Sequence, residues 1–200
     1  AFILADSRSR CLFIPGVYRG HDFPDMIERL MPQLPDLTHV ISVRQDSDTC
    51  ALLRYENLIA KANLSPVPQH VGEMSAAKII MYTSGTTGRA KAVKHSHTSL
   101  ARALDNGIEG WSLDNRDIML MPSPVTHVTG FANGIELPFL SDCKSAFMER
   151  WDVDLAAAYI QRIGATGCVS ATPFLQELVE KAKRDSLGLP TLRFFACGGA

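Results

Sequence analysis

Short apolar runs of strand length alternate along this chain with longer stretches of helical period, and that alternation limits the fold more than any other feature of the sequence. Residues 11–15, 39–43, 78–84, 118–121, 144–148, 166–170 and 192–197 read as strands. Between the later ones lie two clear helices. Over residues 152–163, Val153, Ala156, Ala157, Ile160 and Ile163 share one face, Asp152 is a good N-cap, and Gly164 stops the helix. A second helix is predicted over 172–184, with Pro173 in its first turn and Leu175, Leu178, Val179 and Ala182 as its apolar stripe. Strand, helix, strand, helix, strand from 144 to 197 is βαβ order, so the fold class is α/β, with sheets of largely parallel strands flanked by helices. The first 65 residues also read as αβ, with a helix over 22–31 ahead of the 39–43 strand. Pro66 and Pro68 in a polar stretch at 63–69 then suggest a connection to a second portion over about 71–200.

Composition excludes several classes of function. At 46% hydrophobic and 20% charged, the 200 residues match an ordinary globular chain and neither a disordered nor a fibrous one. Twenty basic and 21 acidic residues leave a formal charge of −1, so nothing global attracts a nucleic acid, and any phosphate binding has to be local. Cys11, Cys50, Cys143, Cys168 and Cys197 are odd in number and form no C-x-x-C pair, which reads as buried, reduced thiols in a reducing, cytoplasmic compartment. No apolar run reaches the roughly 20 residues of a transmembrane segment, and the N-terminus has no signal-peptide layout. Because the sequence opens on Ala1 and stops at Ala200 directly after an apolar run, both ends are expected to be cut, and a leader could have been lost.

The chemistry is concentrated just beyond the 78–84 strand. Thr83, Ser84, Gly85, Thr86, Thr87, Gly88, Arg89, Ala90 and Lys91 put four hydroxyls, two glycines and two cations into nine residues. Glycines let successive backbone N–H groups turn inward, hydroxyls donate further hydrogen bonds, and Lys supplies a point charge, which together suit phosphate. By composition alone the stretch equally fits a polar turn. It is not a Walker A loop, since Ala90 stands before Lys91 where that motif needs Gly. Neither G-x-G-x-x-G nor G-x-S-x-G is present.

The order of residues is more specific than their composition. Residues 82–93, YTSGTTGRAKAV, resemble the signature loop of the adenylate-forming (AMP-binding) superfamily, Y-T-S-G-T-T-G-x-P-K-G-V, agreeing at ten of twelve positions with the variable one allowed. Ala90 replaces the usual Pro and Ala92 the usual Gly, which frees the loop's backbone at one position and adds a Cβ at another. Other landmarks follow in order. His95 and His97 flank Ser96 ahead of a helix, and read on their own they are capping or packing groups. Residues 114–122 resemble the family's acidic turn and strand. Pro124, His127 and Gly130 match its P-x-x-H-x-x-G element, Pro173 its strand-to-helix turn, and 192–200 its apolar strand ending in G-G-A. A lone histidine such as His127 is usually a packed one, and G-G-A alone is usually a turn. The resemblance makes them substrate-side residues.

The resemblance therefore implies a partial N-terminal domain of an acyl-adenylate-forming enzyme of the acyl-CoA ligase type. ATP, with Mg²⁺ held mostly by residues outside this sequence, would be bound by Thr83, Ser84, Gly85, Thr86, Thr87, Gly88 and Lys91. A small carboxylic acid would lie near His127, Gly130, Phe131, Gly198, Gly199 and Ala200, and coenzyme A would be the second substrate. The apolar run 135–140 favours a fatty or alicyclic acid; the alternatives are an amino-acid adenylation domain or a catalytically inactive nucleotide-binding relative. No acid, base, nucleophile or metal ligand is assigned within the chain. The family's downstream elements and its small C-terminal domain are expected beyond residue 200, so the chain alone is expected to form no acyl-AMP.

Overall fold

The computed structural model describes residues 1–44, 52–62, 72–84 and 88–198. They fall into two compact units, Ala1–Gly72 with Tyr82–Ala92, and Glu73–Met81 with Val93–Ala200.

The first unit opens with helix α1 (Phe2–Asp6) and is built on a parallel sheet of β1 (Cys11–Pro15), β4 (His39–Val43) and β5 (Leu53–Arg54), in the order β1-β4-β5. Phe13 lies opposite Ile41, and Ile41 opposite Leu53. A tight hairpin, β2 (Val17–Tyr18) and β3 (His21–Asp22), turns through Arg19 and Gly20, both at positive φ. Helix α2 (Phe23–Leu30) follows, and its start is dictated locally. The Asp22 carboxylate accepts from the Asp25 N–H at 3.0 Å, and Pro24 occupies the first turn where its missing N–H costs nothing. Ile27 of α2 packs with Ile14, Leu34, Leu37 and Val40 into this unit's core. Helix α3 (Tyr55–Lys61) follows β5. The proline-containing connection predicted at 63–69 lies outside the described residues.

Strands β6 (Ala77–Thr83) and β7 (Lys91–Ser96) pair as a two-stranded sheet. Ser96 then caps helix α4 (His97–Trp111) through a reciprocal box with Ser99, so the serines, not the two histidines, perform the capping.

The second unit holds a four-stranded parallel sheet ordered β11-β10-β8-β9, from β8 (Ile118–Met121), β9 (Lys144–Phe147), β10 (Gly167–Ser170) and β11 (Phe194–Cys197). Between β8 and β9 runs a continuous helical stretch, α5 (Val128–Gly130), a π-helical turn (Phe131–Glu136) and α6 (Leu137–Ser141). Helices α7 (Val153–Ile163) and α8 (Thr172–Arg184) make the two crossovers that complete the sheet.

Successive side chains of β8 point to opposite faces. Met119 joins Leu100, Leu104, Leu137 and Cys143 on the α4 and α6 side, while Leu120 joins Ala156, Ala157, Ile160, Cys168 and Leu178 on the α7 and α8 side. Each Leu, Ile or Met side chain among them contributes about 1.5–3 kcal/mol on full burial, so these two layers hold the unit together. Of the predicted α8 stripe Leu178 is buried, but Val179 is 40% exposed, because α8 lies over the sheet on a narrower face than its apolar spacing suggests. The thiols divide as well. Cys143 and Cys168 are buried, and Cys11 and Cys197 are exposed, one at the start of an edge strand and the other at the end of one, against the expectation of buried thiols.

Candidate functional site

The phosphate-type loop belongs to the first unit. Its two ends, Thr83 closing β6 and Lys91 opening β7, are held together by the Thr83 hydroxyl, which donates to the Lys91 carbonyl at 3.5 Å. Just before it, the Tyr82 hydroxyl donates to the Asp6 carboxylate at 2.6 Å, and the Tyr82 ring meets Phe2 edge-on. That hydrogen bond raises the Tyr82 pKa, since the bound form is the protonated one. Gly88 sits at φ +82°, a left-handed conformation that a side chain would disfavour, and open space surrounds the position where a Cβ would stand. Thr83, Ser84, Gly88 and Lys91 are all exposed. Gly85, Thr86 and Thr87 lie outside the described residues. The described part of the loop thus presents hydroxyls and one primary ammonium to solvent across a closed base.

The second unit has its own crevice. The connection leaving β8 runs to the α4 and α6 face of the sheet, whereas α8, leaving the adjacent β10, packs on the opposite face. Where neighbouring parallel strands send their chains to opposite faces, a cleft opens outside their carboxyl ends, and ligands of open α/β sheets bind there. Two buried hydroxyls mark the point. Ser123, just past β8, and Ser170, the last residue of β10, hydrogen-bond each other at 2.8 Å.

His127, Gly130 and Phe131 all come from the connection leaving β8. His127 is exposed and caps α5, its Nδ1 accepting from the Thr129 N–H at 3.2 Å. Gly130 is there because of a close approach. A Cβ would stand 2.1 Å from the Pro124 carbonyl oxygen and 2.6 Å from that of Ser123. Phe131 is half-buried against the α4 and α6 core. Gly198 follows the end of β11 on the same carboxyl edge and is exposed, and Gly199 and Ala200 lie outside the described residues.

Two aromatic residues that carry no motif in the sequence brace this edge. Trp151, beyond β9, stacks on Phe174 in the first turn of α8, with centroids 4.5 Å apart and planes 6° from parallel. The Trp151 indole N–H donates to Glu177 at 2.6 Å. The first turn of α8 has no side-chain cap: Pro173 has no N–H to satisfy, and the Phe174 N–H donates to the Ala171 carbonyl at 3.1 Å. At the opposite edge of the sheet, Asp117 accepts from Thr166 at 2.6 Å and Arg193 at 2.7 Å, tying β8 to the starts of β10 and β11.

Among the described residues no three His, Cys, Asp or Glu side chains converge as a metal site. Nor is any helix of the described residues long and apolar enough to cross a membrane.

A loop with this residue order and an open parallel sheet with a switch point are together the features of an adenylate-forming domain. The family model described as AMP-binding enzyme matches residues 1–200, and the chain belongs to that family. It is 28% identical over 200 residues to the medium-chain fatty-acid–CoA ligase of Escherichia coli (strain K12), covering 99% of this chain and 35% of that protein. It is 34% identical over 137 residues to the human mitochondrial malonate–CoA ligase ACSF3, covering 68% of this chain and 21% of that protein. Among solved structures it resembles the inhibitor-bound N-terminal domain of FACL13 from Mycobacterium tuberculosis, with a TM-score of 0.78 at 25% identity, covering all of this chain and 47% of that one. The chain therefore spans about a third or less of the length of these curated relatives.

Proposed function

We propose that this chain is part of an enzyme that uses ATP to activate a carboxylic acid, first as acyl-AMP and then as the coenzyme A thioester. In the first step a carboxylate oxygen attacks the α-phosphorus and the bond to pyrophosphate breaks. In the second, a thiol attacks the acyl carbon and AMP leaves. Neither step needs a protein nucleophile. The work is to hold two oxyanions in line and to offset the charge that builds on phosphate, which backbone amides and a lysine can do.

The observation that carries this reading is the loop 83–91, closed at its base by Thr83 and Lys91, with Thr83, Ser84 and Lys91 exposed. Thr83, Ser84, Gly85, Thr86, Thr87, Gly88 and Lys91 would cradle the polyphosphate of ATP. Mg²⁺ would arrive on those phosphates with most of its water, as is usual for this ion. His127, Gly130 and Phe131, with Gly198, Gly199 and Ala200, would line the acyl side. The relatives carry the names of fatty-acid and malonate ligases of coenzyme A, which supports a thiol acceptor and an acid without an amino group. An apolar stretch beside His127 favours a fatty or alicyclic acid over an amino acid. The enzyme would work in the cytoplasm, and elements beyond these residues would complete its site.

The test is ATP–pyrophosphate exchange by the complete protein across a panel of acids. Exchange that appears only on addition of a fatty or alicyclic acid is expected; exchange supported by amino acids alone, or by no acid, would reject the assignment.

A further inference from the structure

Lys78, on β6, and Glu136, at the end of the π-helical turn, form an ion pair whose side chains are only 27% and 19% exposed. Both belong to the second unit. Glu136 is the sole charged residue in the helical stretch 128–141, and its half-buried carboxylate calls for a neighbouring opposite charge. Lys78 supplies it.

The turn that Glu136 closes has a local cause. Pro138, in the first turn of α6, has no N–H to donate, and in an α-helix its ring would press on the carbonyl four residues earlier. Widening the preceding turn to π winding relieves that conflict. Asn133 assists, its side-chain amide donating to the Thr129 carbonyl at 3.0 Å. Packing fixes the turn from below, because a Cβ at Gly134 would come within 2.8 Å of both Met121 and Phe147. At its other end the stretch is fixed by Gly130 against the 123–124 backbone. Glu136 is thus the one point where the turn is held by charge, and the strand holding it is the one that leads into the loop 83–91.

We propose that the Lys78–Glu136 pair is a positioning device that holds the π-helical turn and so sets which carboxylic acids the His127–Phe131 side of the crevice accepts. Without the pair, Glu136 turns to solvent and the turn is free to rewind toward α geometry. Losing one residue from a turn rotates everything before it by about 100° about the helix axis, which would re-aim His127 and Phe131. The proposal rests on the ligase reading above.

The experiment has two arms on the complete protein, using Lys78→Met, Glu136→Gln and the charge-reversed double variant Lys78→Glu/Glu136→Lys. Amide hydrogen exchange should speed up across 131–137 in each single variant, leave β8 unchanged, and return toward wild type in the double. In parallel, the ratio of kcat/KM for hexanoate against dodecanoate should shift by about fivefold in the single variants, the scale expected for a partly shielded pair, while KM for ATP stays within about twofold, and the double should restore the ratio. An active wild type whose single variants keep both the exchange pattern and the acid ratio overturns the proposal. So does an equal fall in kcat/KM for every acid, since that is what a merely structural contact would give. A wild type inactive with every acid rejects the ligase reading and the selectivity role with it, while the exchange arm still decides whether the pair holds the turn.

Discussion

Asp117 is 4% exposed, yet it works as an ionised group. Burial pushes its carboxyl pKa up, but the hydrogen bonds from Thr166 and Arg193 and the N–H of Asp114 outweigh that and leave it below the usual carboxylate range. A depressed folded-state pKa stabilises the protein above the unfolded pKa and ceases to do so as pH falls through the folded one. Asp117→Asn should therefore cost about 2 kcal/mol at neutral pH, because Thr166, Arg193 and the Asp114 N–H lose a charged acceptor, while the half-exposed Arg193 is partly compensated by water. The gap between variant and wild type should narrow from about pH 4 downward. Denaturant unfolding at pH 7 and at pH 3 checks both; a gap that stays constant would contradict the ionised assignment. Arg116 and Asp114 illustrate the opposite case. Their ion pair draws the Asp114 pKa down to about 2, but it stands in water and contributes little to stability.

Helix α7 is held by signals at both ends. Asp152 accepts from the N–H groups of Asp154 at 2.9 Å and Leu155 at 3.0 Å, and Gly164 ends the helix at φ +68°. Asp152→Ala and Gly164→Ala should each cost about 1 kcal/mol, seen as a lower denaturant midpoint with unchanged slope; no shift in either would show that tertiary packing alone sets the helix. The same local signals are why α7, α8 and most strands were legible in the sequence. Asp152, Gly164 and Pro173 mark helix ends by chemistry that needs no tertiary partner, and the strands 11–15, 39–43 and 118–121 are apolar enough to be read directly. The β2–β3 hairpin escaped because its strands are two residues each, too short for a period to show, although Gly20 in its turn was a usable signal. The π-helical turn escaped for a different reason. Its apolar spacing is compatible with a plain helix, and only Pro138 combined with contacts from Met121 and Phe147 selects the wider winding.

For the whole molecule, the parallel class follows from strand and helix alternating, but the order β11-β10-β8-β9 does not, since it depends on which faces the crossovers cover. Ser123 and Ser170 are 47 residues apart, and their meeting at the switch point could be known only from that order. The residues proposed for the acyl side stand out in the sequence as a motif, but without their physical reasons. Gly130 proves to be required by the 123–124 backbone, and His127 to be a cap. The loop 83–91 was the part most fully written in the sequence, because glycines, hydroxyls and a lysine in that order have few other uses. Its claim to phosphate is also the easiest to test alone. Lys91 is exposed at the start of β7, so Lys91→Ala should leave the fold intact by circular dichroism. In calorimetric titrations with ATP the wild type should bind at least about tenfold more tightly than the variant, the loss expected for one charge-assisted contact, and the difference should shrink as salt is raised. Equal affinities for wild type and variant at low salt would contradict a nucleotide-binding role for this loop.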